Sequence, residues 1–247
     1  MRAGVKGDVG RRRLPAGCGV AALLLTLATQ GPAAAQAGEP ALGSTAGSHL
    51  HTLLQRTVFK VDVLTVDLCF DAATGRRIAG IAARGRLTGA RADSATHAAL
   101  AGRQAVARVA FLRDITLRQF LDGVGEDLDN AVATGLVPDS VRRALVAGLP
   151  GWYAPLERRG IRQGDVLFYD LLPAAVRTRY VAVDGAVLLD RTEQGRARRN
   201  SPLAAWLAPG SQFRTGLLQS LRRDGAAAPP AACSAPKAGR TMSPDPG

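Results

Sequence analysis

The sequence predicts an α+β protein in which helices pack on one face of an antiparallel sheet. The first observation is the order of the patterns: strand-like segments, two helical ones, three strand-like ones and terminal helices. The second is the pair Asp184-Gly185, which lies between two apolar segments and is typical of a hairpin turn of type I′. Because hairpins join antiparallel neighbours, the pattern favours an antiparallel sheet covered by helices.

The first strand is predicted over residues 58–70. Its apolar residues alternate in one phase as far as Val63 and in the opposite phase from Leu64 onward. Since a one-residue slip moves side chains to the other face, this pattern predicts a bulge near Val63. A turn at Thr74-Gly75 and a return strand over residues 76–81 are expected next. The small, polar residues 84–103 indicate a loop whose helical content stays open.

The middle of the chain predicts a strand and two helices. The strand covers residues 105–112, and Thr116 with Gln119 three residues later forms the capping box of the first helix. Apolar residues at helical spacing then mark its buried stripe: Leu117, Phe120, Leu121, Val124, Leu128 and Val132. The second helix begins near Asp139 and is expected to kink or split at Pro150.

The last third predicts strands over residues 166–172, 176–183 and 186–189. The polar residues 190–200 are expected to form a loop, and helices are expected over residues 202–207 and 211–222.

The N-terminus has the features of a cleavable export signal over residues 1–37. Five basic residues precede the apolar run of residues 20–28, and Ala35-Gln36-Ala37 fits a cleavage site. An uncleaved anchor is the alternative, which the short run disfavours. Without this segment the net charge falls from +12 to +8, because it holds five basic and one acidic residue. A periplasmic or secreted protein is expected, with a linker at 38–50, a domain at 51–223 and a disordered Pro/Ala-rich tail at 224–247.

Few residues suggest metal, nucleotide or nucleic-acid chemistry. His49-x-His51 has no neighbouring cysteine and only distant carboxylates in the sequence, so no metal site is expected. No phosphate-binding glycine motif is present, and no cofactor is predicted. The arginines are scattered as short pairs, which argues against nucleic acid and leaves weak attraction to an anionic membrane surface. Whether Cys69 and Cys233 pair stays open.

Several strings, in this order, resemble the chalcone isomerase-like family. They are Phe59-Lys-Val-Asp-Val63, Phe111-Leu-Arg-Asp-Ile115, Gln163-Gly-Asp-Val-Leu-Phe-Tyr169, Asp184-Gly185 and Trp206-Leu207. The resemblance covers about residues 48–222. It implies an open-faced β-sandwich, a large antiparallel sheet with helices layered on one face and a ligand cleft between them. Members of the family close chalcones into flavanones, bind fatty acids, or have no known chemistry.

The residues that the resemblance assigns to catalysis are mostly replaced. Arg56 can fill the role of the arginine that attracts the substrate oxyanion, but Asp62 stands at the threonine position. Phe120 and Asp127 stand where the enzymes have tyrosine and asparagine. Ala205 and Trp206 lie near the late Ser/Thr position, with Ser201 the nearest hydroxyl. Because phenylalanine donates no hydrogen bond and carboxylates repel an anion, this set argues against isomerase activity.

The leading hypothesis is therefore a non-catalytic domain that binds a small apolar or amphipathic ligand, such as a fatty acid, in the cleft. The candidate ligand-binding residues are Arg56, Asp62, Phe120 and Tyr169, with the carboxylate expected near Arg56 or Tyr169. Two alternatives stay open: an isomerase or intramolecular lyase with a rearranged active site, and a scaffold protein whose cleft is filled by its own side chains. The ligand and the oligomeric state are not specified by the sequence.

Overall fold

A computed structural model of the chain describes residues 49–56 and 61–221, all within the compact unit Pro40–Gly247. The side chains of Arg56 and Val61 are not among the described groups. The predicted signal peptide and the predicted tail lie outside the described residues. Among the helices of the described ranges, none is long and apolar enough to cross a membrane.

Six strands form one open antiparallel sheet in sequence order. They are β1 His49–Arg56, β2 Val61–Phe70, β3 Ala105–Phe111, β4 Val166–Leu171, β5 Ala175–Val181 and β6 Val187–Gln194. Each strand pairs with the next along the chain, so β1 and β6 are the two edges.

The six helices α1–α6 form three pairs along the sequence. After β2 come α1 Ala72–Ala82 and α2 Ala90–Ala101, and after β3 come α3 Leu117–Ala133 and α4 Asp139–Trp152. After β6 come α5 Arg196–Leu207 and α6 Arg214–Ser220. All six contribute to one hydrophobic core with a single face of the sheet, the inner face, whose residues include Leu64, Val66, Val109 and Leu167. The predicted fold class, with helices layered on one face of an antiparallel sheet, is confirmed.

The phase slip in β2 is confirmed as a bulge. Leu54 pairs with Leu64 and the next residue, Gln55, pairs with Asp62, so Val63 has no partner in β1. The extra residue lets the consecutive side chains of Val63 and Leu64 both be buried. Both also border the cavity described below.

The predicted positions of the helices α3 and α4 in the sequence are correct. The Thr116 hydroxyl accepts a hydrogen bond from the backbone of Gln119 at 3.1 Å, and the Gln119 side chain accepts one from the backbone of Thr116 at 2.9 Å. This is the predicted capping box. In α4 the helix continues through Pro150 to Trp152, so the expected split does not occur.

The segment between β2 and β3 was predicted incorrectly. The expected return strand at 76–81 lies in α1, whose N-terminus is capped by Asp71, which accepts from the backbone of Thr74 at 2.9 Å. The expected loop at 84–103 contains α2. Alanine is the strongest helix former, and α2 buries small residues at helical spacing, including Ala92, Ala95 and Ala99.

Two further elements differ from the prediction. The expected linker at 38–50 overlaps β1, which begins at His49. The expected loop at 190–200 is occupied by the end of β6 and the start of α5. Polar residues of the edge strand β6 pair across the sheet, as Asp190 accepts from Arg177 Nε at 2.8 Å, and this polarity resembles that of a loop.

The hairpin at Asp184-Gly185 is confirmed, but its turn is not the two-residue type. Gly185 N–H donates to the Ala182 carbonyl and Ala182 N–H donates to the Ala186 carbonyl, each at 2.8 Å. The loop therefore has three residues, with Gly185 at φ +88°. This positive φ suits glycine and is typical of a three-residue loop that ends in a bulge.

Candidate functional site

A cavity of about 370 Å³ lies between the inner face of the sheet and helices α3, α4 and α5. This volume falls within the roughly 300–1,000 Å³ of small-molecule sites. The sheet contributes Leu64, Val66, Val109, Leu167 and Val176 to its floor. The lining is mainly apolar, so the cavity suits a molecule with a hydrocarbon body.

Aromatic rings form a large part of the wall. Phe120 contacts Tyr153 edge-to-face with centroids 5.3 Å apart, and Tyr169 contacts Trp206 in the same manner at 5.6 Å. Burial raises the pKa of Tyr169 to about 12, and burial also raises the pKa of Tyr153. Both hydroxyl groups therefore stay protonated at neutral pH and can act as hydrogen-bond donors.

Arg191 and Glu193 of β6 bring charges to the cavity. The Arg191 guanidinium lies over the ring of Trp152, 4.3 Å from its centroid, and Arg191 Nη2 lies 3.9 Å from Glu193 Oε1. Arg198 Nη1 lies 3.9 Å from the same oxygen. Arg191 and Arg198 thus share one carboxylate, and the Arg191 guanidinium is also held by a cation–π contact.

Arg113 borders the cavity and is exposed. The backbone of Ile115 is bonded to Ile161, and Asp114 accepts from Arg162 Nη1 at 2.9 Å and from the backbone of Gln163 at 2.8 Å. Within residues 49–56 and 61–221, no hydrogen bond or ion pair holds the Arg113 guanidinium. It is therefore a cation at the cavity for which the described residues provide no counter-ion.

Asp127 brings a buried carboxylate to the cavity from α3. The Ser211 hydroxyl donates to Asp127 Oδ1 at 3.2 Å. A carboxylate here disfavours a second negative charge nearby. An anionic group of a ligand would therefore lie away from Asp127.

Of the four candidate ligand-binding residues, the structure places two at the cavity and one away from it. Phe120 and Tyr169 both line the cavity. Asp62 is exposed, accepts from Gln55 Nε2 at 2.7 Å and does not line it. Arg56 ends β1 opposite Val61, and its side chain is not described, so its role stays a prediction.

The positions that the family resemblance assigns to catalysis partly meet in the cavity. Phe120 and Asp127 line it, as do Ser201, Ala205 and Trp206. Sequence reasoning did not select Arg113 or Arg191, because nothing distinguishes these two arginines from the many others in the chain. The only available signal for Arg113 was its position inside the string Phe111–Ile115.

A cluster of two histidines and one carboxylate lies on the other face of the sheet. His49 Nε2 is 3.0 Å and His51 Nδ1 is 2.7 Å from Asp67 Oδ1. The expectation of no metal site rested in part on the absence of a nearby carboxylate, and the pairing of β1 with β2 supplies one. Cys69, also on β2, is disulfide-bonded.

No protein-family model and no curated protein matches the chain. Among solved structures, it is similar to the crystal structure of a fatty-acid binding protein from Arabidopsis thaliana. The two share 11% identity with a TM-score of 0.41, and the match covers 70% of this chain and 85% of that chain. A similarity this distant identifies neither a ligand nor a reaction for this chain.

Proposed function

We propose that this protein binds an amphipathic molecule with one hydrocarbon chain, such as a fatty acid, in the cavity between the sheet and helices α3–α5. The observation that carries the proposal is an apolar cavity of about 370 Å³ bordered by Arg113, a cation that has no partner among the described residues. Burial of a hydrocarbon chain contributes roughly 0.8 kcal/mol for each methylene removed from water. The apolar wall would therefore supply most of the affinity.

The carboxylate of the ligand would lie at Arg113. Arg191 is the other described cation in the lining, but its guanidinium already contacts the ring of Trp152 and the carboxylate of Glu193. Asp127 disfavours an anion at its part of the cavity. An arginine can hold a carboxylate by two parallel hydrogen bonds, and the Arg113 guanidinium is available for them.

We also propose that this binding domain is a chalcone isomerase-like one without isomerase activity. Support comes from the order of the quoted sequence strings and from the residues at the family's catalytic positions. Phe120 provides no hydroxyl donor, and Asp127 would oppose a developing oxyanion. Turnover of a 2′-hydroxychalcone by the purified protein would favour the rearranged isomerase instead.

Export to the periplasm or outside the cell is a further part of the proposal. Support comes from the basic and apolar segments of residues 1–37 and from the disulfide of Cys69, since disulfides persist in oxidising compartments. N-terminal sequencing of protein recovered from a periplasmic fraction would test it. An unprocessed N-terminus at Met1 would contradict cleavage after Ala37.

The binding site can be tested by filling it. Val124 lines the cavity, whereas Val146 on α4 is 37% exposed and lies outside the lining. With delipidated protein and a sixteen-carbon fatty acid, we expect Val124→Trp to weaken binding at least tenfold in calorimetric titrations. The matched control Val146→Trp should bind as the original chain does.

Two results would reject the site. If the delipidated protein binds no fatty acid and its melting temperature does not shift, the cavity does not serve this ligand class and the scaffold reading is favoured. If both tryptophan variants bind equally well, the ligand lies elsewhere on the protein. Circular dichroism of both variants shows whether the fold is retained.

A further inference from the structure

The face of the sheet opposite the cavity carries a group of side chains that ligand binding in the cavity does not use. His49 and His51 are two residues apart on β1 and therefore point to the same face of the sheet. Asp67 of β2 is the direct partner of His51 in the register, and Arg108 of β3 is the direct partner of Asp67. The strand pairing alone therefore places all four side chains side by side on this outer face.

The two imidazoles converge on one oxygen of the carboxylate. His49 Nε2 lies 3.0 Å and His51 Nδ1 lies 2.7 Å from Asp67 Oδ1, and the three ligand atoms lie within 4.8 Å of one another. A zinc ion is bound at about 2.0–2.2 Å from nitrogen and oxygen ligands. Three donor atoms this close can share one ion after small side-chain rotations.

The surroundings hold the donors in place. The backbone N–H of His51 donates to the Ser220 hydroxyl at 2.8 Å, which fixes β1 against α6. Asp67 is buried, and Arg108 Nη1 lies 3.6 Å from its second oxygen, Oδ2. Such an outer contact orients a carboxylate and leaves Oδ1 directed at the histidines. The His51 side chain is 43% exposed, so an ion can reach the group from solvent.

We propose that His49, His51 and Asp67 form a binding site for a divalent transition-metal ion, with zinc as the reference ion. Imidazole nitrogens and a carboxylate suit zinc, copper, nickel and iron, whereas magnesium and calcium prefer oxygen ligands. Three protein ligands leave at least one coordination position for water or another small ligand. This site is independent of the proposed fatty-acid binding, because its residues do not line the cavity.

The test is a calorimetric titration of zinc into protein whose affinity tag has been removed and which has been treated with a chelator. We expect one zinc ion per chain and at least a hundredfold weaker binding in His51→Ala. His97→Ala is the matched control. His97, the third histidine, is exposed on α2 and contacts the backbone of Asp93 at 3.0 Å. This variant should keep the affinity of the original chain.

A second variant separates binding from folding. Asp67→Asn has nearly the same shape but lacks the negative charge, and it should weaken zinc binding by at least tenfold while circular dichroism stays unchanged. Cobalt bound at the site should show visible absorption bands that His51→Ala lacks. Absence of saturable zinc binding by the original chain would overturn the proposal, as would an equal loss in His51→Ala and His97→Ala. In either case the group would be only a hydrogen-bonded surface cluster.

Discussion

Asp165 and Arg113 lie on neighbouring parts of the fold, and their hydrogen bonding differs completely. Asp165 is fully buried, and both oxygens of its carboxylate accept hydrogen bonds. They accept from Arg159 Nη2 at 2.7 Å, from the Tyr180 hydroxyl at 2.7 Å and from two backbone N–H groups. Arg113 is exposed and has no such partner within the described part of the chain. A charge that the fold satisfies serves stability, whereas a charge left unsatisfied at a cavity is available to a ligand.

The largest effect is expected from removing the carboxylate of Asp165, whose charge is fully hydrogen-bonded within the fold. Asp165→Ala would leave Arg159 and the Tyr180 hydroxyl without their acceptor. Removing one partner of a buried ion pair destabilises proteins by about 3–5 kcal/mol. We expect a loss of that size in the free energy of unfolding, measured by urea denaturation.

Asp122→Ala is the matched control for this variant. Asp122 is exposed, and its contact with Arg118 is a weak pair at 3.9 Å. Surface changes of this kind alter stability by no more than about 0.5 kcal/mol. If the two variants lose the same free energy of unfolding, Asp165 does not hold the β4–β5 end of the sheet together.

The pH dependence of stability offers a smaller effect from the same residue. Burial would raise the pKa of Asp165, but the hydrogen bonds from Arg159, Tyr180 and the backbone outweigh it and lower the pKa from 3.8 to about 2. Because the folded pKa is depressed, the stabilisation is fully present above pH 4 and is lost as the pH falls through 2. One pKa unit corresponds to about 1.36 kcal/mol, so the contribution is about 2 kcal/mol.

Asp165→Asn isolates this contribution from that of the other carboxylates. Between pH 4 and pH 2, the original chain should lose about 2 kcal/mol more unfolding free energy than the variant does. The measurement is urea denaturation at both pH values. Parallel losses in the two proteins would assign the acid sensitivity to other groups.

Sequence reasoning succeeded where the signal is local. The phase slip at Val63 and the capping box of Thr116 and Gln119 each depend on a few neighbouring residues, and both are confirmed. It failed for α2, because small residues such as Ala92 and Ala95 give little hydrophobic contrast between the faces of a helix. Packing against α5 decides that segment, as the Thr96 hydroxyl contact with the Leu207 carbonyl illustrates.

The functional groups were harder to predict than the fold. Phe120 and Tyr169 could be selected because a family resemblance and an apolar pattern pointed to them. Arg113 could not, since its lack of a partner becomes visible only when the contacts of its neighbours are known. The nearness of His51 to Asp67 depends on the register of two strands, and β1 itself was not predicted.

Arg113→Gln should have the smallest effect on stability of these variants, but a large effect on fatty-acid binding. Because the guanidinium has no hydrogen bond or ion pair within residues 49–56 and 61–221, the unfolding free energy should change by no more than about 0.5 kcal/mol. A hydrogen bond to a charged group contributes about 1.5–3 kcal/mol, so fatty-acid affinity should fall by roughly ten- to a hundredfold. Arg118→Gln is the control, because Arg118 is an exposed arginine at the nearby start of α3 and does not line the cavity. If Arg113→Gln binds the fatty acid as tightly as the control does, the carboxylate lies elsewhere, and Arg191 and Arg56 become the residues to change next.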